Sequence, residues 1–405
     1  MEQETNKQQH TLDTINELSN AFGTMIEHNK EQVLTSSSFN GKFPRTYNQR
    51  EAADATDCHP RKLTQLCNEL DINPNTEGNK WKINIHDIYK IRQAIVTPLF
   101  KRSPEQKLQI FTTSQLKGGA GKTVATVTLA TGLATELNNN YRIGVIDLDT
   151  QGTASMFLKP NLDDDDLSVG DLLMEKYELE AGETFATVCK EAFYPTNVPN
   201  LRVLCCRASD REYEYQAITS QYEATQQKSS YNAYDGLKEI IDAVEDEFDI
   251  ILIDTAPQFS ALTIAGHYVA NSLIIPMRPS ENDRDSSKKY FEFLAKMYKL
   301  LIGLGHPGMD SVRLLITAIR ANSRAQTRMA QAIRRACKPS NIFTHELFES
   351  DAVINCAEDF CTVFDMSASE YPVTKSSLRL AQQGYTNILL ELETLILANW
   401  GETNE

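Results

Sequence analysis

The chain has 405 residues, 41% of them hydrophobic and 23% charged, with a formal net charge of −15. That length and apolar content support buried cores in two or three domains, and no run approaches the ~20 apolar residues of a membrane span. The eight cysteines are irregularly spaced and suit reduced thiols rather than a disulfide framework; the polar N-terminal stretch lacks the pattern of a secretory leader, so a cytoplasmic protein is expected.

The charge is unevenly spread. Residues 1–108 carry 14 basic and 14 acidic side chains, so the acidic excess lies beyond them, and any contact with nucleic acid must come from local patches. In residues 1–40, Leu12, Ile15, Leu18, Phe22, Met25, Ile26 and Val33 recur at helical intervals between polar residues. They predict an amphipathic helix followed by a linker at 35–41. A partner chain, through dimerisation, and the protein's own body are the two candidates to cover its stripe.

Residues 41–104 predict a small helical domain. Two helices, Gln49 to Ala55 and Pro60 to Glu69, flank a tight turn, and the small Ala52 and Ala53 let them cross closely. This is the form of a helix-turn-helix, with Arg61, Lys62 and Gln65 near the start of the second helix, from which base edges and phosphates are reached. A wing strand is expected from Trp81 to His86, then a helix to Ile95. Residues 42–107 hold 12 basic and 8 acidic groups. The segment 98–104, with Lys101 and Arg102, reads as a hinge into a domain spanning 105–405.

That domain opens on a β-branched and aromatic run at 110–114, then Leu116-Lys-Gly-Gly-Ala-Gly-Lys-Thr123, then helical apolar spacing from Val124 onward. Strand, glycine loop and helix are what a phosphate-binding loop requires. Backbone N–H groups of Gly118, Gly119, Ala120, Gly121 and the first helical residues can point at phosphate oxygens. Lys122 can reach the terminal phosphates, and the Thr123 hydroxyl can hold magnesium. A second apolar strand ends in Asp147-Leu-Asp149, and a third, after Phe248, ends in Asp254. Carboxylates at the carboxyl ends of parallel strands face the ligand crevice, where they can hold a hydrated magnesium ion and orient a water. Asp163 to Asp166 reads as a solvated acidic loop. From Arg313 to Lys338 there are seven basic residues and no acid: Arg313, Arg320, Arg324, Arg328, Arg334, Arg335 and Lys338. Such a cluster can contact phosphates without reading sequence, and salt bridges to the domain's own acidic surface are the alternative. The apolar segment 387–400 carries Glu391 and Glu393 but no Lys or Arg, which disfavours a membrane-bound amphipathic helix and favours a packed closing helix.

The loop, with Lys117 directly before its glycines, resembles the deviant Walker A motif of the ParA/MinD ATPases. Asp147-Leu-Asp-Thr-Gln-Gly152 is similar to that family's Asp-x-Asp-Pro-Gln-Gly, with Thr150 in place of proline. Asp254-Thr-Ala-Pro257 is similar to its Asp-Thr-Pro-Pro, and 273–279 to the next strand with its proline-bearing exit. The resemblance is strongest at 110–152 and 248–279 and thinnest at 1–100. It implies a doubly wound, mostly parallel α/β sheet of the P-loop NTPase type, preceded by a winged helix-turn-helix domain and an N-terminal helix. It implies binding of ATP or ADP with Mg2+ by residues 117–124 (Lys117 to Val124), and by Pro276 and Arg278 near the base. Thr123, Asp147 and Asp254 would serve the metal. Asp149 is the hydrolytic residue it implies, and Lys117 the lysine that crosses to the partner's nucleotide in an ATP-dependent homodimer. It further implies a nucleoid-associated partition ATPase that binds DNA nonspecifically, with a filament on DNA as an open form. A ParB-type partner would stimulate it, and operator binding would repress its own operon. Besides the basic cluster, Lys375 and Arg379 are secondary DNA candidates. The competing reading is a nucleotide-regulated transcriptional repressor without a partition role.

Overall fold

The computed structural model describes residues 2–33, 42–74, 80–95, 100–227 and 231–401. The linker expected at 35–41 and Pro98 of the expected hinge lie outside the described residues. Helix α1 (Glu2–Val33) is continuous over 32 residues, and Leu12, Ile15, Leu18, Phe22, Met25 and Ile26 stand exposed along it.

The next elements are α2 (Gln49–Ala55), α3 (Pro60–Glu69) and α4 (Ile85–Ile95), with a two-stranded ribbon. Asn48 caps α2 by accepting from the backbone N–H groups of Arg50 and Glu51, while Glu51 reaches back to the Asn48 N–H; this capping box fixes where the helix begins. Pro60 occupies the first turn of α3, where its missing N–H costs nothing. Strand β1 (Thr46–Tyr47) pairs antiparallel with β2 (Ile83–Asn84). The wing strand is thus shorter than the sequence predicts. Asn84 and Asp87 exchange side-chain-to-backbone hydrogen bonds, which cap α4 and turn residues 85 and 86 into helix. Tyr47, Leu63, Ile83, Ile88 and Ile91 form a core of their own.

The rest of the chain builds a seven-stranded sheet in the order β5-β6-β4-β7-β3-β8-β9. Its strands are β3 (Gln109–Thr113), β4 (Ile143–Leu148), β5 (Phe193–Pro195), β6 (Leu201–Leu204), β7 (Ile250–Thr255), β8 (Ser272–Met277) and β9 (Ser311–Ile316). All neighbours are parallel except the edge pair β5–β6. Alternate residues feed opposite cores. Ile143, Val145, Ile250 and Leu252 face α5 (Lys122–Thr135), α14 (Asp351–Glu358) and α15 (Lys375–Asn399). Ile146, Leu148, Ile251 and Ile253 face the opposite layer. That layer comprises α7 (Val169–Leu173), α8 (Phe185–Ala192), α9 (Arg211–Gln227), α10 (Asp235–Ala243) and α11 (Ala261–Val269), while α6 (Thr153–Leu158) packs with α5. Helices α12 (Glu281–Gly303) and α13 (Arg324–Ala336) share a third core with β8 and β9. Strands buried on both faces read as continuous apolar runs, which is why they were visible in the sequence. Pro276 sits inside β8, but β3 pairs only as far as Ile274, so its missing donor falls beyond that ladder. Among the described residues, no helix is long and apolar enough to cross a membrane. The closing helix begins at Lys375, well before the apolar segment 387–400.

Candidate nucleotide site

Three adjacent parallel strands deliver the site. In register, Thr113 of β3 lies beside Asp254 of β7, and Asp254 beside Asp147 of β4. Their carboxyl ends form the crevice in which ligands of open α/β sheets bind. The loop 116–121 leaves β3 and enters α5 at Gly121, whose φ of 83° is left-handed; Gly119 has φ 73°. An added Cβ would meet no atom within 4 Å at either glycine. Backbone sign rather than crowding therefore requires glycine there. Thr317, just past β9, donates its hydroxyl to the Ala120 carbonyl at 2.9 Å and braces the loop from the other side.

At the start of α5 the Thr123 hydroxyl donates to Asp254 Oδ2 at 2.6 Å, and Thr126, one turn later, to Oδ1 at 3.3 Å. Asp147 accepts from Ser155 N and Oγ, each at 2.8 Å, and from Asp149 N at 3.0 Å. Asp149 accepts from Gln151 N at 3.0 Å. Asp147 and Asp254 are fully buried, and Asp149 and Lys122 nearly so. Burial pushes the Asp254 carboxyl above its ordinary range, against the hydrogen bond from Thr123 and the charge of Lys122. Burial, then the charge of Asp254, pushes Asp147 up as well. Burial lowers Lys122, opposed by Asp254 and Asp149. Asp254 and Asp149 thus share the charge of one buried ammonium group, and Asp147 lies against Asp254.

This oxygen-only donor set, a threonine hydroxyl beside carboxylates, fits a hard divalent cation. Among the described residues, no group of three or more His, Cys, Asp or Glu side chains is placed to cage a metal. Ser155, Thr126 and Thr317 were missed in the sequence. Only Thr126 left a signal there, a threonine one helical turn after Thr123.

Lys117 lies apart from this cluster, its Nζ 2.9 Å from Asp283 Oδ1 at the start of α12. Val124 is half-buried in the first turn of α5; Pro276 is buried in β8 and Arg278 exposed at its exit. Beside the carboxylate loop, Arg211 Nε at the head of α9 donates to Thr150 Oγ1 at 3.0 Å.

The basic candidates divide into two sets. Arg324, Arg328, Arg335 and Lys338 are exposed on or just after α13, and the spacing of the three arginines puts them on one face. By contrast, Arg320 pairs with Glu349 at 2.7 Å and Arg334 with Glu346 at 3.0 Å, so these two meet their own domain's acids. Arg313 is half-buried, its guanidinium 5.9 Å from the Phe343 ring centroid. Arg61, Lys62, Lys375 and Arg379 are exposed.

Fold and site together define a P-loop nucleotide-binding protein. Residues 108–300 match the family model described as an AAA domain. The chain is 25% identical over 341 residues to plasmid partition protein A of Escherichia coli, covering 82% of each chain. In fold it is similar to a solved partition protein, with a TM-score of 0.65 at 20% identity, covering 94% of this chain and 98% of the other. An ATP complex of McdA from Cyanothece shares the fold with a TM-score of 0.54 at 17% identity, covering 74% of this chain and 99% of that one. The chain is thus similar to partition proteins in sequence and in fold.

Proposed function

We propose that the chain hydrolyses ATP to control its own pairing and its hold on DNA, and so segregates replicon copies. The observation that carries this reading is the meeting of Thr123, Lys122 and Asp254 beside Asp147 and Asp149 at three neighbouring strand ends. The N–H groups of the loop and the α5 terminus cradle the phosphates, and Lys122 offsets charge on the terminal ones. Thr123 and Asp254, joined by their hydrogen bond, would hold a magnesium ion, with Asp147 supporting that geometry from β4. A magnesium ion held there would supply neutralisation of charge on the phosphoryl oxygens. Asp149 orients the attacking water. Pro276 and Arg278 line the side of the base. Lys117 serves a second protomer, contacting its phosphates, and α1 contributes its apolar stripe to the same pairing.

Arg324, Arg328, Arg335 and Lys338 bind DNA phosphates without reading sequence, and Lys375 and Arg379 extend that contact. Arg61 and Lys62 engage an operator through the helix-turn-helix. A ParB-type partner stimulates hydrolysis and release. DNA binding measured with ATP, ADP and no nucleotide across a salt series tests this. Binding that requires ATP, ignores sequence and falls steeply with salt is expected; nonspecific binding indifferent to nucleotide overturns it.

One observation favours nucleotide-regulated repression as a linked role. The far end of α5 abuts the N-terminal domain: Arg45 Nη1 donates to Glu136 at 2.7 Å. Arg92 Nη1 donates to the Leu137 carbonyl at 3.3 Å while its Nε and Nη2 hold the Ala55 carbonyl at the end of α2. The helix that starts at the phosphates therefore ends on the domain that would carry the operator contacts.

A further inference from the structure

The lysine assigned to a partner's nucleotide is held within its own protomer. Lys117 Nζ is 2.9 Å from Asp283 Oδ1, the lysine side chain 37% exposed and the aspartate 8%. Asp283 lies in the first turn of α12, where the helix terminus favours a negative charge. Its backbone N–H donates to the cap, Ser280 Oγ, at 3.2 Å, and the Ser280 hydroxyl returns a hydrogen bond to Asp283 Oδ2. The two carboxylate oxygens are divided between Ser280 and Lys117.

The position of Asp283 relative to the loop is fixed independently of the lysine. Tyr290, two turns further along α12, donates its hydroxyl to Ser114 Oγ at the base of the loop at 3.0 Å. Ser114 also meets His267 Nε2 at 2.9 Å, and His267 Nδ1 meets Tyr298 of α12 at 2.9 Å. Lys117 itself lines a groove of about 520 Å³ whose walls include Leu116, Phe259, Tyr290 and Phe293. A rigid acid, a tethered helix and an apolar groove thus make a berth for one flexible lysine.

We infer that Asp283 is a positioning residue that docks Lys117 on its own protomer, and that ATP-driven pairing requires this ion pair to open. The inference rests on the reading that Lys117 acts on a partner, and it adds what opposes that action. A contact present only in the unpaired state lowers the pairing constant by its own strength. An ion pair this exposed is worth up to about fivefold in an equilibrium, and two open per dimer.

Asp283→Asn keeps the cap and the shape of the side chain but removes the charge. With ATP and magnesium, sedimentation velocity should place its pairing midpoint about fivefold to twentyfold lower in protein concentration than that of the unmodified chain. ATP turnover should rise at protein concentrations below the midpoint and be unchanged at saturation, and Asp283→Glu should restore the unmodified midpoint. Should Asp283→Asn not fold, Asp283→Ser, which leaves the Ser280 cap of α12 in place, serves in its place. A lower saturating turnover would instead make Asp283 an aid to catalysis, and an unmoved midpoint would leave it only a partner of the Ser280 cap; either overturns the inference. Lys117→Gln separates the two levels. If it pairs as well as the unmodified chain, the partner-directed role of Lys117 itself fails. If it loses pairing while Asp283→Asn behaves as the unmodified chain, only the docking inference fails.

Discussion

Two clusters of buried charge in this molecule are built on opposite principles. Where the N-terminal domain meets the sheet domain, charges are matched. Lys42 Nζ sits 3.2 Å from Asp365 with both side chains 2% exposed. Asp365 also accepts from Asn197 and from the Thr362 backbone, each at 2.7 Å, and Lys42 donates to the Phe157 carbonyl at 2.9 Å. Lys42 and these hydrogen bonds outweigh burial and hold the Asp365 carboxyl below the usual carboxylate range. At the nucleotide site the chain buries three carboxylates against one lysine, and burial drives Asp147 and Asp254 the other way. The first cluster is complete within the protein's own groups, whereas the second is balanced only by what binds there. Complete charge clusters hold domains together; unbalanced ones mark where a ligand contributes to stability.

The sharpest break of this contrast is at the matched pair. Lys42→Met leaves Asp365 buried without its cation and should cost about 3–5 kcal/mol in denaturant unfolding, while Lys42→Met with Asp365→Leu should recover most of the loss. At the unbalanced site, Asp254→Asn should leave the stability of the nucleotide-free protein equal or higher. Magnesium-dependent ATP turnover should nevertheless fall about a hundredfold or more; lost stability with turnover retained would reverse the assignment.

The opposite shifts also give opposite pH slopes. Asp365, depressed in the fold, contributes stability that is present above its unfolded value near about 3.9 and lost as pH falls through its folded value. Asp147 and Asp254, raised in the fold, make the nucleotide-free protein lose stability as pH climbs above the ordinary carboxylate range, by up to about 1.4 kcal/mol per pH unit per group. Denaturant midpoints should therefore decline from about pH 4 until both carboxyls ionise in the fold, and Asp254→Asn should flatten the decline. The smallest effect separates the arginines that meet acids, Arg320 and Arg334, from those exposed on α13. Arg328→Ala should reduce the salt slope of DNA binding by about 0.9, whereas Arg334→Ala, losing its bond to Glu346, should cost up to about 1 kcal/mol of stability with little change in slope.

Much of the sheet domain was legible because its signals are local. Strands buried on both faces show as apolar runs, and the loop carries its glycines, Lys122 and Thr123 within a few residues. Asp147 and Asp254 were visible because each ends such a run. The junction was not, because its pairs are distant in sequence: Arg45 meets Glu136 and Lys42 meets Asp365, and no local pattern encodes either. Asp283 was hidden for a different reason. Ser280 followed three residues later by an acid reads as an ordinary helix cap, and it is one; its second partner appears only when α12 packs beside the loop. The basic run from Arg313 to Lys338 looked uniform, yet Arg320 and Arg334 found acids after β9 that only the fold brings near. Residues 153–247 gave little because α6 to α10 and the short strands β5 and β6 carry no compact local motif.

Helix α5 spans 14 residues, about 21 Å at the usual rise, with the phosphate loop at one end and Arg45 and Arg92 of the N-terminal domain at the other. Binding energies at two ends of one rigid body cannot be independent in one direction only. If nucleotide changes the affinity of the N-terminal domain for operator DNA by some factor, operator DNA must change nucleotide affinity by the same factor. DNA bound at the N-terminal domain would then act as an effector of this protein's nucleotide state.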